Sequence, residues 1–231
     1  MATAQSIIDQ AAELAGNTSI SATHRLAWLN RFLEAEYRRK YPWQRQTATI
    51  AFASGGVSNT ADWPSTFLDT YQHEDGSCGR YTDSGSSIVT LFEWTYRTYI
   101  AKADRNTSTG PPQRIVADPV TGTWYVYPKT DQAYTVSADY YQLPAAVAVG
   151  DTPLWSSHAP DEILVQAVKV AQLFHQDDTR YTREYAILYG DNRLELPGLL
   201  PTYRRRVFLD EGVTHPSALD PRIYLTMPVN D

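Results

Sequence analysis

Two histidine–carboxylate groups, one cysteine and one arginine run are the places in this 231-residue chain where side-chain types and spacing could support chemistry. His73-Glu74-Asp75 and His175-Gln176-Asp177-Asp178 each set an imidazole beside carboxylates, a pairing suited to proton transfer or metal ligation. A metal site needs three or four converging ligands, and neither group has a recognisable ligand spacing. Exposed polar residues, or a histidine closing one helix with aspartates capping the next, describe them better. Cys78 sits in a Gly-Ser-Cys-Gly segment five residues from His73, and it could attack a substrate only with a nearby base and a lowered pKa. Arg204-Arg205-Arg206 could meet phosphate, but in a chain of net charge -6 it suits salt bridges or docking on an acidic partner.

Signature motifs point the same way. The chain has no Gly-x-x-x-x-Gly-Lys-Ser/Thr phosphate loop and no Gly-x-Gly-x-x-Gly dinucleotide turn. Ser84-Gly85-Ser86-Ser87 lacks the second glycine of a nucleophile elbow. Paired carboxylates carry no information where 26 acidic residues always offer pairs. The expectation is a protein without a catalytic, cofactor or metal site, and not an enzyme.

The elements that would position these residues change period along the chain. Ile7, Ile8, Ala11, Leu14 and Ala15 share one face of a helix over about 4–15, and Gly16 stops it. Ser21 or Thr23 caps a second helix over about 22–40, lined by Leu26, Leu29, Leu33 and Tyr37 with Trp28 and Phe32 beside them. Arg38, Arg39 and Lys40 fall in its last turn and Pro42 ends it.

From Trp43 the period is two. Strands are expected over 47–52, 88–96, 113–117, 123–127 and 135–141, with polar loops at 72–87 and 101–112. Asp118-Pro119-Val120-Thr121-Gly122 joins the third and fourth as the strongest hairpin. Helix returns over about 160–176, with Ile163, Ala167, Val170, Ala171 and Phe174 apolar, and again over about 179–195. Pro197-Gly198 breaks it.

Short amphipathic helices need tertiary partners, so the N-terminal pair is expected to pack on the C-terminal pair. The predicted fold is α+β: a four-helix bundle from 1–42 and 158–197, an inserted antiparallel β-sandwich or barrel over 43–157, and an extended C-terminal arm, 198–231. Pro201, Pro216, Pro221 and Pro228 oppose regular structure in the arm. Tyr203, Val207, Phe208, Leu209, Ile223, Tyr224 and Leu225 are too apolar for a solvated tail.

Composition narrows the partners. No apolar run approaches the ~18–20 residues of a membrane-spanning helix, so no membrane association is expected. The first residues lack the basic and apolar regions of a secretory signal, and a lone cysteine excludes an internal disulfide. Sixteen tyrosines and six tryptophans against six phenylalanines suit a tyrosine-rich sheet, a half-wet protein contact surface, or both.

Tyr140-Tyr141-Gln142-Leu143-Pro144, then Asp151-Thr152-Pro153-Leu154-Trp155 and a helix start at Pro160-Asp161-Glu162, mark the return from strand to helix. With the helical hairpin, the Trp-rich insertion and Trp124-Tyr125-Val126-Tyr127-Pro128, this order resembles the head-to-tail adaptor (connector) proteins of tailed bacteriophages over roughly residues 5–195. The resemblance implies a structural virion protein: a ring, usually twelvefold, under the portal at the capsid–tail junction, assembled in the host cytoplasm. Its partners would be the portal, tail or nozzle proteins and copies of itself, with genomic DNA passing through the lumen unrecognised. The arm would reach the portal or a neighbouring subunit through Tyr203, Arg204, Arg205, Arg206, Phe208, Ile223 and Tyr224. The rival is an aromatic-rich carbohydrate- or receptor-binding module of a phage tail, against which the terminal helices weigh.

Overall fold

A computed structural model of the chain describes residues 1–16, 19–53, 60–103, 109–193 and 195–210. In chain order the elements are α1 (Ala4–Ala15), α2 (Ala22–Tyr37), β1 (Arg45–Phe52), β2 (Thr60–Asp62), β3 (Phe67–Thr70), β4 (Ser77–Thr82), β5 (Ile88–Glu93) and α3 (Tyr96–Ala103). They continue as β6 (Arg114–Asp118), β7 (Thr123–Tyr127), β8 (Tyr134–Gln142), α4 (Asp161–His175), α5 (Tyr181–Tyr189) and α6 (Leu199–Asp210). The fold is α+β. The chain divides into a helical unit, Met1–Trp43 with Pro144–Asp231, and a sheet unit, Gln44–Leu143.

Helix α1 starts where the Thr3 side chain accepts from the Ser6 N–H, and it ends at Gly16, whose φ of 71° suits glycine. Ser21, the first of the two expected caps, accepts from the His24 N–H and opens α2. The helix closes earlier than expected: Arg38 is its C-cap, and Arg39 and Lys40 lie beyond it. Helix α4 is the hub of the unit, since α1, α2 and α5 all pack on it and α6 packs on α5. Its burial follows: Leu164, Val165, Val168 and Leu173 are buried along with the expected Ile163, Ala167 and Val170. A helix with neighbours on several sides needs more than one apolar stripe. Phe174, expected on the core face, is instead 56% exposed.

The sheet unit holds one eight-stranded sheet in the order β1-β8-β4-β5-β6-β7-β2, with β3 also paired to β8. Strands β1 and β8 pair antiparallel along all of β1, from Arg45↔Tyr141 to Phe52↔Tyr134. The terminal strands β1 and β2 touch, so the sheet curls into a near-barrel around Phe52, Cys78, Leu91, Ile115, Trp124, Val126 and Val136. The expected hairpin is β6–β7, where Asp118 accepts from the Val120 N–H and the Thr121 hydroxyl.

Several local expectations fail here. The stretch 72–87 is not a loop: it contains β4, which pairs with β5 and β8. A register shift between Ser77 and Gly79 breaks the alternation by which a strand is read. Strand β5 stops at Glu93, and Tyr96 begins α3, which supplies the crossover for the parallel pairing of β5 with β6. The segment 101–112 begins inside α3, and its residues 104–108 lie outside the described ones. The helix expected over 179–195 is confined to Tyr181–Tyr189.

Candidate functional site

The arm predicted as extended begins as a helix. Pro201 is only the third residue of α6, within the first turn, where a missing N–H costs nothing. The Thr202 hydroxyl donates to the Gly198 carbonyl at 2.7 Å and secures that turn. Upstream, Asp191 and Leu196 exchange two backbone hydrogen bonds and fold α5 back toward α6. A Cβ on Gly198 would stand 2.3 Å from the Gly190 nitrogen, so the two glycines let the backbones touch.

Within α6, Leu200, Arg204 and Phe208 recur every fourth residue and are buried, whereas Arg205, Arg206 and Leu209 are exposed. The arginine run is thus split by helical geometry. Arg204, 4% exposed, places both ends of its guanidinium on the fully buried Glu36 of α2, with Nε 3.1 Å from Oε2 and Nη2 on Oε1. Tyr41 donates its hydroxyl to the same carboxylate at 2.7 Å, and Arg39 approaches it at 3.6 Å. This forked pair gives the buried carboxylate charge-assisted partners on several sides.

An aromatic seat surrounds the ion pair. Tyr41 stacks between Phe208 and Trp43, each 5.2 Å away, and meets Trp155 edge-on at 5.4 Å. Tyr203 lies 5.3 Å from Trp155 and accepts from Trp43 Nε1. Trp155, the tryptophan of the Asp-x-Pro-x-Trp phrase, is fully buried here, and its backbone N–H donates to the Tyr37 hydroxyl. Burial pushes the Tyr37 hydroxyl up to about 12. Burial, reinforced by the Glu36 charge and opposed by Arg204, holds Tyr41 well above its ordinary value. Tyr203, Arg204 and Phe208 therefore come together inside the helical unit, and Arg205 and Arg206 remain on its surface. Ile223 and Tyr224 lie outside the described residues.

The chemistry candidates take structural positions. His73 Nε2 lies 3.0 Å from Asp139 Oδ2, and Thr47 donates to Asp139 Oδ1 at 2.5 Å. A hydroxyl-activating chain needs the imidazole between hydroxyl and carboxylate. Here the carboxylate is in the middle. The open cleft around it, about 490 Å³, is lined by Arg45, Gln46, Thr47, Tyr71, His73 and Asp139. The Arg45 guanidinium covers a face of Tyr71 at 4.3 Å. Asp75 is turned to Ser77, whose hydroxyl and N–H hold its carboxyl below the usual range.

Cys78 is fully buried, and burial, with Glu93 and Asp139 adding to it, raises its thiol far from the range of a reactive thiolate. His175 packs on Trp28, and Asp178 binds Arg180. Among the described residues no three His, Cys, Asp or Glu side chains converge to hold a metal ion. None of their helices is long and apolar enough to cross a membrane.

The profile of a family described as SU10 adaptor protein matches residues 2–206. No curated protein matches the chain.

Proposed function

This chain belongs to the SU10 adaptor protein family of phage head-to-tail adaptors, and we propose on that basis that it forms the ring joining the portal to the tail. The carrying observation is the extent of the match, 2–206, which runs through both units and ends inside α6. The family makes it a structural component of a phage virion. In the proposed assembly, copies of the helical unit form a closed ring, twelvefold in the virion, at the capsid–tail junction. Assembly takes place in the host cytoplasm.

The portal and the tail or nozzle proteins are the proposed partners. Residues 211–231, together with the exposed face of α6, make the junction to the portal or to a neighbouring copy. Arg205 and Arg206, exposed on α6, are the charges available to an acidic surface there, and such rim charges guide pairing more than they add affinity. Genomic DNA passes through the lumen without being recognised. The net charge of -6 supports this, because a strongly basic lumen would hold the phosphate backbone.

Native mass spectrometry and electron microscopy of the purified protein, alone and with its portal, test the reading. Annuli of many copies are expected. A monomer or trimer that ignores the portal and binds glycans would overturn it in favour of a tail receptor-binding module.

A further inference from the structure

The helical unit carries an apolar face at one end of α4 and releases its chain at the other. Phe174, the penultimate residue of α4, is 56% exposed. It begins a continuous aromatic run: Phe174 to Tyr181 at 5.1 Å, Tyr181 to Tyr185 at 5.6 Å, Tyr185 to Tyr189 at 4.6 Å. Tyr181 and Tyr185 are half-buried along α5. Arg180, just before α5, donates to the Ala15 carbonyl at 2.6 Å and so draws the end of α1, with Leu14 51% exposed, to the same end of the unit. The exposed Phe174 and the half-buried Tyr181 and Tyr185 leave an aromatic strip at the surface, the kind of apolar feature that marks a contact.

The chain leaves the described structure elsewhere. Phe208 stacks on Tyr41, and Tyr41 packs on Trp155, in the turn Leu154–Ser157 just before α4 begins. The end of α6 is therefore at the N-terminal end of α4, whereas the aromatic run starts with Phe174 at its C-terminal end and returns along α5 to Tyr189, near the Glu36–Arg204 pair. Fifteen helical residues separate the two by about 22 Å.

We propose that residues 211–231 of one subunit lie across the Phe174–Tyr181–Tyr185 face of the next copy in the ring. The inference rests on the ring reading and names the surface that receives the arm. An arm of one subunit seated on a different face of the next makes a head-to-tail contact, which closes into a ring when the rotation permits. The reach suffices: the 21 residues span up to about 70 Å when extended. Ile223, Tyr224 and Leu225 provide an apolar centre between Pro221 and Pro228, the composition of a strap rather than a helix. Glu211, Asp220 and Asp231 outweigh Arg222 in the arm, and the seat presents the exposed Arg183 of α5 together with the exposed Asp177. The family match stops at 206, so the strap lies outside the matched residues.

The test uses the full chain, mixed before assembly from ¹⁵N-labelled and unlabelled subunits, with Tyr185 of the labelled subunits replaced by p-benzoylphenylalanine. After irradiation, unlabelled peptides from 211–231 are expected on labelled α5 peptides. Rings that form without such cross-links, or with cross-links only within one subunit or to another segment, overturn the strap and leave the ring reading standing. A sample that stays unassembled with and without portal overturns both. Replacing both Phe174 and Tyr181 by serine is expected to raise the ring's half-dissociation concentration about tenfold or more, as for central aromatic contacts. The conservative Tyr181→Phe is expected to restore much of it. An unchanged dissociation in the double variant counts against the proposal, and cross-linking decides if that variant does not fold.

Discussion

Arg204 on α6 and Glu36 on α2 form a forked ion pair with side chains 4% and 0% exposed. Removing one partner of a buried pair costs more than the pair contributes, because the other charge is left without its counter-ion. Arg204→Ala should lower unfolding stability by about 3 kcal/mol, measured by urea denaturation. Arg204→Met with Glu36→Gln should recover part of the loss. Glutamate-for-arginine changes at the exposed Arg205 and Arg206 should stay within about 0.5 kcal/mol of the parent yet weaken ring or portal assembly.

The point of truncation matters. Deletion of 199–231 removes the buried Leu200, Arg204 and Phe208 and strips Glu36 of its partner, so the helical unit should lose its cooperative melt. Deletion of 211–231 spares α6 and should leave the melting curve close to that of the full chain. Its expected defect is confined to assembly, measured as the yield of rings or filled particles.

Gly198 offers a sharp steric test. Its φ is 71°, and a Cβ would meet Gly190 and Tyr189 backbone atoms at 2.3 and 2.6 Å. Gly198→Ala should therefore cost on the order of 3 kcal/mol or prevent docking of α6. Gly122→Ala, at φ 69° with nothing within 4 Å, is the matched control and should show only the strain of that backbone angle without the clash.

Alkaline pH should loosen the helical unit. Tyr37 ionises near 10 when unfolded and at about 12 in the fold, because burial disfavours its phenolate. The folded state therefore keeps a proton that the unfolded state sheds. The contribution is complete below pH 10 and lost as pH rises through about 12, for a total on the order of 2–3 kcal/mol. Tyr41 and Tyr189 shift in the same direction and should steepen the decline. Urea midpoints between pH 9 and 12 measure the slope, and Tyr37→Phe should flatten it.

Local patterns were enough to read much of the chain. Helix α1 is legible because Ile7, Ile8, Ala11 and Ala15 repeat on one face between Thr3 and Gly16. The β6–β7 hairpin is legible because Asp118 and Gly122 build its turn from neighbouring atoms. The Asp-x-Pro-x-Trp phrase was visible as a marker, but that Trp155 sits beneath Tyr41, Phe32 and Tyr203 was not.

Distant partners settled the rest. Strand β4 has little alternation of its own, and its place depends on Gly79 lying against Ala138 of β8. Helix α6 looked like a proline-punctuated arm because charge and proline are weighed by what is usual for them. An arginine is ordinarily left in water. Arg204 is buried because Glu36, 168 positions away, supplies the opposite charge. Periodicity is a property of neighbours in sequence and can mark helices and turns. Counter-charge and ring stacking join residues far apart in the chain, so only the tertiary structure could show which arginine is core and which two remain on the surface.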